Sequence, residues 1–160
     1  MLVESFLAAD FLGCLVNNDN TIQQVAAFTV EAGNFTLAGD ASSKIKRILK
    51  QLGLDAVLIR RIAVSSYEAE LNLVIHSYGG EMFLEISPYL VRLRIKDIGP
   101  GIPDIEKAMT EGFSTASDEV RDMGFGAGMG LPNMKKNSDS FEIESIIKQG
   151  TTIIMEFYLK

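Results

Sequence analysis

The chain has 160 residues, with 15 basic and 21 acidic side chains and a net charge of −6. Hydrophobic residues make up 47% and charged ones 22%, the balance of one globular domain with a real core. The acidic excess argues against a nucleic-acid footprint, which needs a basic face. A single cysteine, Cys14, leaves no internal disulfide and suits a reducing cytosol.

Residues 1–16, MLVESFLAADFLGCLV, are apolar. Glu4 and Asp10 interrupt them and no basic segment precedes them, so no signal peptide is expected. No stretch approaches the ~20 apolar residues of a membrane span. The expectation is a cytoplasmic protein without membrane contact. Residues 1–24 read as an extension of unknown role ending in the polar NNDNTIQQ, and residues 25–160 as one domain. Phe6, Phe11 and Leu12 give the extension apolar surface to bury.

The first strand is expected over residues 25–31. Asp40 or Ser42 can cap a helix carrying Ile45, Ile48, Leu49 and Leu52, with Gly53 just past its end. Asp55 can cap a longer helix to about Tyr78, with an apolar stripe of Ile59, Ala63, Tyr67, Leu71, Val74 and Tyr78. Residues 81–87 and 89–96 read as paired strands around Ser87-Pro88. In the second, Val91, Leu93 and Ile95 alternate with Arg92, Arg94 and Lys96, the pattern of a sheet with one wet face. Residues 97–130 are rich in glycine and serine, and a short helix is expected from Pro132. Two final strands, 141–147 and 152–159, join through Gln149-Gly150. The implied class is α+β: a two-layer sandwich of a mostly antiparallel mixed sheet with helices on one face.

Four stretches carry chemistry. GFGAGMGLPNM, residues 124–134, places glycines at alternate positions before a helix start. It fits neither a dinucleotide fingerprint nor a phosphate-binding loop ending in Lys-Ser or Lys-Thr. It leaves a permissive loop whose N–H groups suit an anion, or a flexible surface loop with no ligand. DIGPGIPD puts Asp97 at a strand end, where it can accept from a base amino group. Gly99 and Gly101 let a flat ring approach, although the same residues also make ordinary turns. In YEAELNLVIH, Glu68, Asn72 and His76 recur every four residues and form one stripe beside the apolar one. Glu68 suits a general base and Asn72 a ligand for a hard cation; a solvated face is the plain alternative. In QGTTIIMEF, Thr151 or Thr152 can place a hydroxyl near a base, or simply enter a strand.

The order of these boxes resembles the ATP-binding superfamily of gyrase, heat-shock chaperones, histidine kinases and mismatch-repair ATPases, whose architecture is called the Bergerat fold. The closer resemblance, over residues 28–160, is to stand-alone bacterial anti-sigma factor serine/threonine kinases. EAELNLVIHSY is similar to that family's N-box, KDIGPGIPD to its first glycine box and GAGMGLPNM to its second. The resemblance implies ATP and Mg²⁺ as cofactors, with Glu68 as catalytic base and Asn72 as metal ligand. It implies adenine recognition by Asp97, with Gly99, Gly101 and Thr151 around it, and a phosphate-covering lid holding Gly126, Gly128 and Gly130. Residues 111–120, EGFSTASDEV, would complete the lid. The implied partner is a protein, a sigma factor or its antagonist, and members of the closer family pair through sheet edges, which leaves a homodimer open here. Ser77, Glu70, Leu71 and Gly124 depart from the family pattern, and the first 24 or so residues have no counterpart in it.

Three functions follow from the resemblance. The first is phosphorylation of a serine or threonine on a partner. The second is a nucleotide-switched binding module without phosphotransfer. A histidine-kinase catalytic domain ranks below both. The one histidine, His76, lies inside the N-box, and no heptad helices precede the domain.

Overall fold

The computed structural model describes residues 21–160. Cys14 and the apolar Phe6, Phe11 and Leu12 lie outside the described residues.

Alternating apolar side chains build one sheet from β1 (Gln23–Val30), β2 (Gly80–Ile86), β3 (Leu90–Asp97), β4 (Ser140–Ile146) and β5 (Gly150–Tyr158), in the order β1-β2-β3-β5-β4. Among the described residues all four pairings are antiparallel, with no parallel pair of the kind a mixed sheet has. The register aligns Met82, Leu84 and Ile86 with Ile95, Leu93 and Val91, and these with Ile153, Met155 and Phe157. All of them are buried in the core. On the other face, Arg94 reaches Glu85 at 2.7 Å and lies 4.1 Å from the centre of the Phe83 ring. Arg92 reaches Glu156 at 2.7 Å. The face expected to be wet thus carries a ladder of cross-strand ion pairs, with Glu85 buried beneath it.

The helices are α1 (Asp40–Gln51), α2 (Ala56–His76), α3 (Ile105–Ala108), α4 (Asp118–Asp122) and α5 (Gly130–Asn137). Ile45 and Leu49 of α1, Ile62 and Leu73 of α2 and Met134 of α5 join the strands' apolar face in a single core. The short α3 and α4 fall in the glycine- and serine-rich stretch 97–130. The Asp104 and Ser117 side chains cap them.

Two local expectations are corrected. Neither Asp40 nor Ser42 caps α1. The N-cap is Gly39, at φ 98°, and its cap comes from another helix. Glu70 of α2 accepts from the Ala41 amide at 3.0 Å and the Ser42 amide at 2.9 Å. Asp40 instead pairs with Lys44 in solvent. The second correction is the phase of α2. Asp55 does cap it, accepting from Val57 and Leu58. Its buried face, however, holds Leu58, Ile59, Ile62, Ser65, Ser66, Ala69, Glu70, Leu73 and Val74. Tyr67 and Tyr78 of the expected stripe are exposed. Small residues at 65, 66 and 69 let α2 lie close to the core, and a hydrophobicity pattern does not register a buried serine. Glu70, a departure from the family pattern inside the N-box, faces α1 and not the cavity described below.

Removing the Glu70 carboxylate leaves two inward-facing amides without a partner. Glu70→Ala is expected to cost about 2–4 kcal/mol, read as a lower urea midpoint at unchanged slope. An unchanged midpoint would show that the α1 amides find other acceptors.

Candidate functional site

Steps of four along α2 bring Glu68, Asn72 and His76 to one side, interleaved with Leu71 and Ile75. These residues line a cavity of about 650 Å³. Asp97, Gly101, Gly126, Gly128, Gly130 and Thr151 line it as well, so nearly every residue singled out in the sequence meets there. Gly99 stands behind Asp97 instead. A Cβ on it would lie 3.1 Å from Asp97 Oδ1 and 3.3 Å from Ser77 Cα.

One wall is the end of the sheet. Asp97 closes β3, and its Oδ1 accepts from the Thr151 amide at 3.0 Å. Burial raises the Asp97 carboxyl above the usual carboxylate range, against the smaller lowering by the Thr151 amide. Thr151 Oγ1 lies 2.9 Å from Ser145 Oγ, which accepts from the Ile102 amide at 2.7 Å. Ser145 therefore ties the Asp97–Asp104 turn to β4 and β5. Glycines make this closeness attainable. A Cβ on Gly101 would sit 2.5 Å from the Ile146 carbonyl oxygen, and one on Gly150 would collide with Asp97.

The second wall is the glycine loop. Gly112 donates to the Gly128 carbonyl at 2.9 Å and so joins the loop's two limbs. A Cβ on Gly128 would lie 2.5 Å from Gly112 C, and one on Gly126 would strike Ala116. Phe125 stacks on Phe35 with ring centres 5.6 Å apart, which fixes the loop to the segment before α1. The loop runs into α5 at Gly130, two residues before the expected start at Pro132. No side chain caps α5. Its first amides have no intrahelical partner, and Gly130 and Leu131 line the cavity, so the helix presents an anion-seeking end to it.

At that junction the α2 oxygens converge. A Cβ on Gly130 would lie 3.2 Å from Asn72 Oδ1 and 3.4 Å from Glu68 Oε2. Glu68 Oε1 is already engaged, accepting from Asn133 Nδ2 of α5 at 2.7 Å. His76 Nδ1 lies 3.3 Å from Thr115 Oγ1, and burial holds its pKa below the usual imidazole value, which favours the neutral ring. Among the described residues no group of three or more His, Cys, Asp or Glu side chains could enclose a metal. Sequence reasoning gave no individual role to Thr115 in the lid stretch or Asn133 in the second glycine box, and passed over Ser145 and the cavity-lining Lys107. Ser145 carried one signal, since it falls on the same strand face as Phe141 and Ile143.

Residues 59–160 match the family described as histidine kinase-, DNA gyrase B- and HSP90-like ATPase. The chain belongs to this ATPase family. ATP is the ligand that membership implies. Similar proteins include the serine/threonine-protein kinase RsbT of Bacillus subtilis (strain 168), 32% identical over 112 residues, which is 68% of this chain and 78% of the relative. The anti-sigma F factor of Thermoanaerobacter sp. (strain X514) is 34% identical over 106 residues, 63% of this chain and 71% of its own. The anti-sigma F factor of Clostridium novyi (strain NT) is 30% identical over 122 residues, 72% and 82% respectively. Among the described residues, no helix of this ATPase-family chain is long and apolar enough to cross a membrane.

Gly150→Ala and Gly33→Ala make a matched pair. Both glycines have positive φ, but a Cβ at Gly33 meets nothing within 4 Å. Gly33→Ala is expected to cost about 1–2 kcal/mol from backbone strain alone. Gly150→Ala adds the collision with Asp97, for roughly 2–4 kcal/mol in total, and also weakens ATP binding in calorimetry. Equal losses with unchanged ATP affinity would mean that Asp97 is not displaced.

Proposed function

We propose that the protein transfers the γ-phosphoryl group of ATP to a serine or threonine hydroxyl of a protein partner, as an anti-sigma-type regulator. The observation that supports this most is the convergence of Glu68 Oε2 and Asn72 Oδ1 beside Gly130, at the open end of α5. In this reading Asp97 accepts from the adenine amino group, backed by Thr151, with Gly99 and Gly101 leaving room for the ring. Gly126, Gly128 and Gly130 bring loop amides to the phosphates. The partner hydroxyl oxygen bonds to the γ-phosphorus, the bond to the β,γ-bridging oxygen breaks, and ADP leaves. Glu68 receives the hydroxyl proton.

Asn72 would hold Mg²⁺. Its side chain makes no hydrogen bond among the described residues, which leaves its carbonyl oxygen free for a hard cation. Among the described residues, the carboxylates lining the cavity, Glu68, Asp97 and Asp104, are joined by one lysine, Lys107, which favours an added cation with a polyphosphate there. Bound in this position, Mg²⁺ supplies neutralisation of the charge that develops on the transferred group.

The partner class is a sigma factor or an antagonist of the anti-sigma factor, with no direct nucleic-acid contact, in the cytoplasm. The division into residues 1–24 and an ATP-binding domain from residue 25 belongs to the same proposal. So does a homodimer through a sheet edge, β1 or β4; a monomer in sedimentation equilibrium at micromolar concentration would remove it. A second reading, a nucleotide-switched module that sequesters a regulator without chemistry, draws on the relatives named anti-sigma F factor.

Labelling source-cell extract with γ-labelled ATP separates the two readings. Phosphotransfer to a protein acceptor is expected from the wild type, and a loss of roughly 10²–10⁴-fold from Glu68→Gln, with ATP binding retained. Undiminished transfer by Glu68→Gln removes the base assignment. No labelled acceptor at all leaves the switch as the reading.

Asp97 predicts a pH dependence. The adenine amino group favours the ionised carboxylate, so protonation competes with ATP. Because the Asp97 pKa is raised, ATP affinity is expected to fall with decreasing pH from above the usual carboxylate range. Parallel titrations of Asp97→Asn isolate this contribution. Profiles of the same shape in both proteins would assign the dependence to another group.

A further inference from the structure

The bond between α2 and α5 at Glu68 carries an inference that rests on the reading of Glu68 as base. We propose that Asn133 is a positioning residue for phosphotransfer. Its Nδ2 holds Glu68 Oε1 at 2.7 Å and so leaves Oε2 beside Gly130, where Asn72 Oδ1 also lies, at the end of the glycine loop.

A carboxylate on a long side chain has several rotamers and two equivalent oxygens. Nothing else among the described residues fixes this one, since Asn133 is the only hydrogen-bond partner the Glu68 side chain has there. Without Asn133 the carboxyl group is free to turn either oxygen to the cavity or to swing clear of it. With Asn133 in place one oxygen is committed to a neutral amide and the other is left for the acceptor's proton. A neutral donor is suited to this task. A lysine or arginine at the same distance would form an ion pair with the base and compete with the proton it must accept.

Asn133 is not needed to hold α5 in place. Met134, the next residue, is fully buried in the core. Arg61 of α2 donates to the Asn137 carbonyl at 2.8 Å and to Asp139 at 2.7 Å, anchoring the far end of the helix. The Asn133 side chain therefore spends its amide on the site and not on the fold. Asn133 also stands three residues after Gly130, where the loop ends. Any displacement of the first turn of α5 with the loop would move the group that orients Glu68, so loop position and base geometry are linked through one hydrogen bond.

The test compares Asn133→Ala, Asn133→Gln and Asn133→Asp with Glu68→Gln, using full-length protein. With the acceptor labelled in the extract experiment, Asn133→Ala is expected to lower kcat roughly 10- to 100-fold, the scale of a misplaced reacting group. Its KM for ATP is expected within about 2-fold of wild type, since Asn133 does not contact the nucleotide in this reading. Asn133→Gln, which keeps the amide, recovers part of the loss. Asn133→Asp, which sets a like charge against Glu68, loses more than alanine does. A readout independent of turnover is the carboxyl carbon signal of Glu68 in ¹³C-glutamate-labelled protein, assigned by its absence in Glu68→Gln. It is expected to move in Asn133→Ala and to remain near its wild-type position in Asn133→Gln. Wild-type kcat in Asn133→Ala, or an unmoved Glu68 signal, overturns the positioning role while leaving Glu68 as base. A raised KM with unchanged kcat overturns it too, by making Asn133 a binding residue. Full activity in Glu68→Gln instead overturns the reading of the base, and the inference falls with it.

Discussion

The rotation of α2 about its own axis is the constraint on which the site depends. One helix serves three neighbours at once. Ile62, Ser65, Ser66, Ala69 and Leu73 enter the core, Glu70 reaches α1, and Glu68, Asn72 and His76 face the cavity. Successive residues turn by about 100°, so position 70 points away from the side that 68 and 72 share. A helix rolled by one residue would bring Glu70 toward the cavity and withdraw Asn72. The two amides of α1 that bind Glu70 oppose that roll, because rolling would leave a buried carboxylate without its donors. The cap of α1 and the aim of Glu68 are thus two consequences of one helical phase.

The remaining walls owe their position to missing side chains. Asp97 meets the β4–β5 hairpin through the Thr151 amide, and the contact exists only because Gly150 has no Cβ. Gly101 allows the turn after β3 to rest on Ile146 in the same way. In the glycine loop, Gly126 and Gly128 allow its two limbs to touch. These glycines are therefore not simply sites of freedom. Each marks a place where two stretches of main chain approach within the radius of a methyl group, and together they draw a small domain around a large cavity without opening the core.

Much of this was legible in the sequence, for identifiable reasons. The four-residue spacing of Glu68, Asn72 and His76 fixes a shared side whatever the rest of the helix does. The alternation of Val91, Leu93 and Ile95 with arginines fixes a strand and its inner face. What stayed hidden depends on partners distant in the chain. The apolar stripe through Tyr67 and Tyr78 is a fair count of hydrophobic residues, but α2 packs through Ser65, Ser66 and Ala69, where size matters more than polarity. Asp40 is a sound local cap for α1, yet Glu70 displaces it, because a carboxylate held in the interior makes stronger bonds to amides than one in water. Asn133 follows a proline near a helix start and looks like an ordinary first-turn residue. Its role becomes visible only when α5 is placed against α2.

The electrostatics of the cavity explain why an acidic protein can be built to hold a polyanion. Glu68, Asp97 and Asp104 line the space, burial disfavours a charge on His76, and Lys107 is the one lysine or arginine among the described lining residues. Even Lys107 lies against a ring, 5.0 Å from the centre of Phe113. In the proposed reading, attraction for phosphate comes from dipoles more than from side-chain charge: from the uncapped start of α5 and from loop amides freed by glycine. Such donors act at short range, and only when the loop is in place. A site of fixed cations would hold a polyphosphate wherever the loop lay. In the proposed reading, main-chain dipoles in a negative cavity hold it with the help of an added cation, so occupancy depends on loop position. Phe125, stacked on Phe35 in the segment before α1, ties the loop's position to that segment.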